Sequence, residues 1–184
     1  MNDTNHQCDS ACTQPESGGD DSAWLAGVFR DHERPLMGYA KHLLGDPDRA
    51  SDVVQDTFVR LCKQPRERVE DCVRQWLYRV CRNRVLDVIK KEKRMKTLDN
   101  ERASAEPSRE SDPQRAMVDR EDCAQADSLI SRLPARQQEV IRLKVQGGLS
   151  YREISELTGL SVSNVGYLLS TGLQSVRSRL AAIQ

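Results

Sequence analysis

The chain has 184 residues, of which 38% are hydrophobic, 30% charged and only 4% aromatic, and its formal net charge is zero. That length admits one medium domain or two small ones, and so few aromatics, with few runs of β-branched residues, exclude a sheet-built core. No apolar run approaches the roughly 20 residues that span a bilayer, and the amino terminus lacks the basic start and apolar centre of a signal peptide, so a cytoplasmic protein without membrane insertion is expected.

The zero net charge conceals an asymmetry. Residues 1–23 carry five acids and no Lys or Arg (net −5), residues 24–96 are net +6, residues 97–121 net −3 and residues 122–184 net +2. Two basic bodies, preceded and separated by acidic segments, suit a nucleic-acid binder with polar tethers. Residues 1–22, rich in Asp, Asn, Ser and Gly with little to bury, read as a disordered acidic tail. Six cysteines are even in number but form no CxxC pair, and a disulfide framework is not expected in the cytoplasm. Cys62 and Cys81 read as small core residues. His6, Cys8 and Cys12 would be a start on a zinc site, yet a fourth ligand is missing nearby, so no metal and no cofactor is expected.

From Trp24 to Leu44, apolar residues recur at helical spacing, and Pro35 is expected to kink or divide that helix. Pro47 or Asp48 opens a second helix with Ala50, Val53, Val54, Thr57, Phe58 and Leu61 on one side and Asp52, Gln55, Asp56 and Arg60 on another, closing before Pro65. Residues 64–71 read as a charged loop. The stretch from Arg74 to Lys96 then places Leu77, Val80, Cys81, Val85, Val88 and Ile89 on one stripe. Its other faces carry Arg79, Arg82, Arg84, Lys90, Lys91, Lys93, Arg94 and Lys96 against only Asp87 and Glu92. Cations along a rigid rod match backbone phosphates, and aromatic and amide groups beside them engage unpaired bases; a solvated basic face around a buried Trp76 is the alternative. These three helices make a small bundle.

Residues 97–121, with Pro107, Pro113 and mixed charges, read as a flexible linker whose root-mean-square span would be about 25 to 30 Å. A second body follows from about residue 122. Pro134 starts a helix that ends at Gly147-Gly148. Ser150 and Glu153 form a capping-box pattern before a short helix stopped by Gly159, and Ser161 caps a longer one along Val162, Val165, Leu169, Leu173, Val176 and Leu180. A short helix, a Gly-containing turn and a longer helix is the helix-turn-helix arrangement, which lays its second helix in the major groove; any helical hairpin can share the spacing.

Four motifs in order resemble the extracytoplasmic-function sigma factors of bacterial RNA polymerase. They are Asp52-Val-Val-Gln-Asp-Thr-Phe58 with Arg60-Leu61, Trp76-Leu-Tyr-Arg-Val-Cys-Arg-Asn83 with its basic end, Leu133-Pro with Gln137 to Leu143, and Leu149-Ser-Tyr-Arg-Glu-Ile154. The resemblance implies an all-α protein of two small helical domains: sigma domain two over residues 23–96 and sigma domain four over residues 122–184, joined by the linker. It implies that Asp52, Gln55, Asp56 and Arg60 dock on the clamp helices of the polymerase's largest subunit, with Phe58 packed inward, and that domain four meets the flap. The segment 64–71 and the helix after it would meet the minus-ten element, with Gln75, Tyr78, Arg79, Arg82 and Asn83 around a melted strand and Lys90, Lys91 and Arg94 on phosphates. Trp76 falls between core and strand contact. Ser150, Tyr151, Arg152, Ser161, Ser163, Asn164 and Tyr167 would face the minus-thirty-five element.

One departure stands out from the family's pattern of basic recognition helices, because Ser161 to Val176 contains no charged residue. Phosphate anchoring there would rest on helix amino termini, hydroxyls and Arg152. Gly166 and Gly172, each costing about 1 kcal/mol relative to Ala in a helix, would either permit close backbone approach to DNA or merely loosen the helix. The resemblance further implies promoter DNA and core polymerase as partners, an anti-sigma protein as regulator, and no catalytic activity. A stand-alone helix-turn-helix regulator, metal- or redox-responsive through its cysteines, is the competing reading.

Overall fold

The computed structural model describes residues 18–99 and 127–181; they form helices and turns, with no strand among them. The helices are α1 (Gly18–Leu44), α2 (Pro47–Leu61), α3 (Arg66–Val69), α4 (Val73–Asp99), α5 (Ala135–Val145), α6 (Tyr151–Thr158) and α7 (Val162–Ala181). A 3-10 turn, Glu70–Cys72, joins α3 to α4, and residues 127–130 add a helical turn ahead of α5. Residues 1–17 of the expected acidic tail, the Cys8/Cys12 pair among them, and most of the expected linker lie outside the described residues.

The amino-terminal bundle is made by α1, α2 and α4, each packed on the other two. Gly45 at φ +70° turns the chain after α1, a conformation in which a side chain is strained. Asp46 then caps α2, its Oδ1 accepting from the N–H groups of Asp48 at 2.9 Å and Arg49 at 3.2 Å, with Pro47 at the first helical position. The core holds Leu36, Tyr39, Val54, Phe58, Leu61, Leu77, Cys81 and Val85, and Phe58 stacks on Phe29 with ring centroids 4.1 Å apart. Burying a side chain of this kind contributes about 1.5 to 3 kcal/mol. Phe58 thus packs inward, as expected.

Four local expectations are corrected. First, Pro35 does not divide α1, which continues through it as one helix; apolar residues on both sides of the proline, Val28 before it and Leu36, Tyr39 and Ala40 after it, bury into one core and outweigh the lost hydrogen bond. Second, α1 starts at Gly18, five residues ahead of the expected boundary, with Asp20 and Asp21 in its first turn, where carboxylates favour the helix dipole. Third, the segment read as a charged loop contains α3 and the 3-10 turn, anchored by buried Val69. Fourth, Cys81 is buried but Cys62 is exposed, because it follows the last buried residue of α2 as its carboxy-terminal cap.

The carboxy-terminal bundle encloses Leu133, Val140, Ile141, Leu143, Leu149, Ile154, Val165, Leu169 and Val176. Its caps follow the sequence. Ser150 and Glu153 form the full capping box on α6, and Gly159 at φ +74° ends that helix in the left-handed conformation. Ser161 Oγ accepts from the Asn164 N–H at 3.2 Å at the start of α7.

The two bundles touch through α4, α1 and α5. Arg82 Nε donates to Glu139 Oε1 at 2.8 Å, the Tyr39 hydroxyl donates to the same oxygen at 3.4 Å, and Gln75 Nε2 donates to Glu156 Oε2 at 3.0 Å. Tyr39 and Tyr78 meet edge to face at 5.3 Å. Nothing periodic in the sequence announces this seam.

Candidate polymerase and nucleic-acid interfaces

On α2 the spacing that buries Ala50, Val53, Val54, Thr57, Phe58 and Leu61 turns Asp52, Gln55, Val59 and Arg60 outward, all exposed. Val59 was not singled out from sequence, yet it is 51% exposed in the middle of this polar stripe. Asp56 is only partly exposed and already engaged. Its Oδ2 lies 3.0 Å from Arg60 Nε and 2.7 Å from Arg84 Nε of α4. Of the four candidate docking residues, Asp52 and Gln55 are therefore presented directly, while Asp56 also ties α2 to α4. Arg49 adds a second tie, pairing with Glu92 of α4.

Arg66, at the start of α3, gathers carboxylates from two directions. It pairs with Asp20 of α1, lies 3.6 Å from Asp21, and donates through Nε to Glu70 Oε2 at 2.8 Å. Its guanidinium also sits 5.6 Å from the centre of the Trp24 ring. Hydrogen bonds to Asp20 and then Glu70 hold its pKa above the ordinary arginine value. Sequence reading missed this residue because its principal partner is 46 positions away.

The structure divides the α4 candidates between two faces. Arg79, Asn83, Lys90, Lys91 and Arg94 are exposed. Gln75, Tyr78 and Arg82, at steps of three and four, face the carboxy-terminal bundle instead. Tyr78 is 1% exposed, and burial drives its phenol pKa well up. Trp76 is half-buried, packed at the edge of the core. In the core of the same bundle, Cys81 is pushed up to about 12 by burial, a sign of packing rather than reactivity.

In the carboxy-terminal bundle, Ser150, Tyr151 and Arg152 are exposed at the start of α6, and Ser161, Ser163 and Tyr167 are exposed on the first turns of α7, with Asn164 half-buried. Seven candidates thus cluster at two adjoining helix starts. The Ser150 N–H donates to Glu153 Oε2 at 2.7 Å, and the Glu153 N–H to Ser150 Oγ at 3.2 Å. Hydrogen bonding with the Ser150 side chain and then its backbone holds the Glu153 carboxyl below its usual range. Gly166 faces the Tyr151 ring, where an added Cβ would sit 3.7 Å away. Gly172 is different from what the sequence suggested. It is buried, and a Cβ there would come 2.7 Å from Ile141 Cδ1. It serves the close packing of α7 on α5, not an approach to DNA.

A basic helix beside an exposed polar stripe, coupled to a capped helix-turn-helix, defines a bipartite all-helical transcription factor of the DNA-binding class. Residues 28–95 match the family model for Sigma-70 region 2, and residues 123–180 match that for Sigma-70, region 4. Among relatives, the ECF RNA polymerase sigma factor SigL of Mycobacterium tuberculosis is 27% identical over 164 residues, 87% of this chain and 90% of SigL. The ECF RNA polymerase sigma factor SigE of Mycolicibacterium smegmatis is 27% identical over 84% of this chain, which spans 60% of SigE's length. The fold is similar to that of the sigma factor RpoE of Bartonella quintana, solved in complex with the anti-sigma factor NepR, with a TM-score of 0.66 and 20% identity over 90% of this chain and 99% of that one. The chain belongs to the extracytoplasmic-function sigma factors of RNA polymerase, and the stand-alone regulator is not favoured.

Proposed function

We propose that the exposed stripe of α2 is the polymerase-docking surface, with Asp52 and Gln55 making direct contacts, Val59 supplying apolar area between them, and Arg60 and Asp56 at its edge. The observation that carries this reading is the placement of that stripe and the basic side of α4 on one rigid three-helix bundle, so that docking the first positions the second. Residues 18–99 then act as sigma domain two and residues 127–181 as the described part of sigma domain four.

On α4, Arg79 and Asn83, together with Trp76, are placed to meet a melted minus-ten strand, while Lys90, Lys91 and Arg94 hold phosphates. Melting proceeds without nucleotide hydrolysis, so capture of an extruded base has to offset an unstacking and unpairing cost of a few kcal/mol. Side chains presented on a rigid helix keep the ordering cost of that capture low. Ser161, Ser163, Asn164 and Tyr167 read the minus-thirty-five element in the major groove, with Ser150, Tyr151 and Arg152 on the flanking backbone. The amino ends of α6 and α7 supply partial positive charge to phosphates in place of the cations that α7 lacks.

The protein works in the cytoplasm, performs no bond-making chemistry of its own, and is held in check by an anti-sigma partner. Run-off transcription with core polymerase and a promoter library tests the central claim: promoter-directed starts require both components. Specific duplex binding and regulation without core polymerase would contradict it.

A further inference from the structure

The seam between the bundles covers a selected part of α4. Gln75, Tyr78 and Arg82 form a single stripe, and each meets the carboxy-terminal bundle. Gln75 reaches Glu156 at 3.0 Å, Arg82 reaches Glu139 at 2.8 Å, and the Tyr78 ring lies under Gly147, where an added Cβ would come 3.2 Å from its Cζ. Next to it, Gly148 at φ +60° passes so close to Arg74 that a Cβ would sit 2.9 Å from Nη1. Glycine at both positions lets the α5–α6 turn lie against α4.

The central contact is chemically pointed. Arg82 and Glu139 side chains are each only 19% exposed, so the guanidinium is withdrawn from solvent onto a carboxylate, which offers it a pair of anionic acceptor oxygens, as a backbone phosphate would. The seam is also left incomplete. The Tyr78 hydroxyl and Gln146 Oε1 are buried there without a hydrogen-bond partner among the described residues, a cost that opening would relieve. Ion pairing favours closure while stranded polar atoms oppose it, as expected of a contact that has to be reversible.

We propose that Glu139 is a latch: in the unliganded chain it holds the carboxy-terminal bundle over the Gln75–Tyr78–Arg82 stripe, and single-stranded DNA gains that stripe only by displacing Glu139 from Arg82. This rests on the reading of α4 as the helix that meets the melted strand. It assigns Glu139, which lies outside the predicted DNA-contact set, a role in setting how readily the sigma factor captures DNA before polymerase opens it. An apparent affinity scales with the fraction of molecules in the competent state, so weakening the latch raises strand affinity without adding any contact to DNA.

The experiment uses the full chain, a fluorescently labelled randomised pool of short single-stranded DNA, and small-angle X-ray scattering. Glu139→Gln should bind the pool about three- to tenfold more tightly than wild type and show a larger radius of gyration. Asp48→Asn, the same charge change at an exposed position in the first turn of α2, controls for bulk electrostatics and should match wild type. Equal gains in both variants, or no gain and no expansion in Glu139→Gln, overturn the latch. Should Glu139→Gln fail to fold by circular dichroism, wild type decides: saturating single-stranded DNA has to expand it, and an unchanged radius overturns the proposal. Run-off transcription by wild type separates the two claims, since failure there removes the sigma reading while the scattering and binding results still judge closure.

Discussion

The two helices proposed to meet DNA, α4 and α7, present surfaces of opposite kinds. On α4, cations project along most of the length and the helix is braced by ion pairs from α2, Arg84 to Asp56 and Glu92 to Arg49. On α7, no charge appears between Ser161 and Val176, and bracing comes from close packing, Gly172 against Ile141 and Gly166 against Tyr151. A charged surface gives affinity that salt removes, whereas hydroxyls, an amide and a helix start give orientation with little long-range pull. On the proposed assignment, the difference places the electrostatic tether to promoter DNA in the amino-terminal bundle and the readout in the carboxy-terminal one.

The largest expected effect breaks this asymmetry directly. Replacing Lys90, Lys91 and Arg94 together with Gln should weaken promoter binding by the assembled polymerase complex on the order of ten- to a hundredfold and lower the slope of log affinity against log salt by about two to three units. Asn164→Ala should instead cost about 1 to 3 kcal/mol of discrimination at a minus-thirty-five base and leave the slope unchanged. Titrations of both variants across a salt series check the pair. Equal salt slopes for the two would remove the division of labour.

A second contrast lies inside α7. Gly172→Val pushes side-chain atoms into the space of Ile141 Cδ1, 2.7 Å from an added Cβ, and overpacking of this sort costs about 1 to 3 kcal/mol. Gly166→Ala meets only the Tyr151 ring at 3.7 Å, an ordinary contact, and should gain up to about 1 kcal/mol of helix stability. Thermal melts of the two variants should therefore move in opposite directions. A loss of promoter affinity in Gly166→Ala despite a raised melting point would show that backbone approach to DNA matters at that turn.

These glycines also mark where the sequence stops being informative. Stripes at three- and four-residue steps, the Ser150–Glu153 box, the Gly159 stop and the inward turn of Phe58 are local features, settled by neighbours within a turn or two, and they could be read from the sequence. The start of α1 could not, because Asp20 is held by an arginine 46 residues away. The same holds for the division of α4 into an open and a covered face, since Gln75, Tyr78 and Arg82 look no different in sequence from Arg79 and Asn83 until Glu139 arrives from 57 residues beyond Arg82. The role of Gly172 depends on one methyl group of another helix. Long-range partners, rather than weak local patterns, account for what was missed.

A smaller effect sharpens the view that α6 and α7 depend on their caps. Ser150→Ala removes one half of the capping box and should cost about 1 kcal/mol. The Glu153 half is held by hydrogen bonds from Ser150, which lower its pKa from the ordinary value of 4.5. A group with a depressed folded pKa stabilises above its unfolded value and loses that contribution as pH falls through the folded one. The stability gap between wild type and Ser150→Ala should accordingly be full at neutral pH and shrink below about pH 4.5, as followed by urea melts at several pH values.

The last effect separates the two cores by alkali. The buried face of α4 contains a titratable thiol, Cys81, raised by burial from 9.0 to about 12, whereas the buried residues of α7 are Val165, Leu169, Gly172 and Val176. A raised folded pKa means that the native state keeps its proton more firmly than the unfolded chain. Its contribution is complete below the unfolded value and is lost as pH rises from there through the folded one, a loss of about 1 kcal/mol by pH 10. Cys81→Val, similar in size and unable to ionise, should remove this portion of the alkaline decline while keeping neutral stability near wild type. In the native protein at pH 8, iodoacetamide should modify exposed Cys62 and Cys72 well before Cys81. Alkylation of Cys81 at the same rate as those two would mean that the amino-terminal bundle opens far more readily than its packing implies, and that the rigid platform assigned to α4 does not exist.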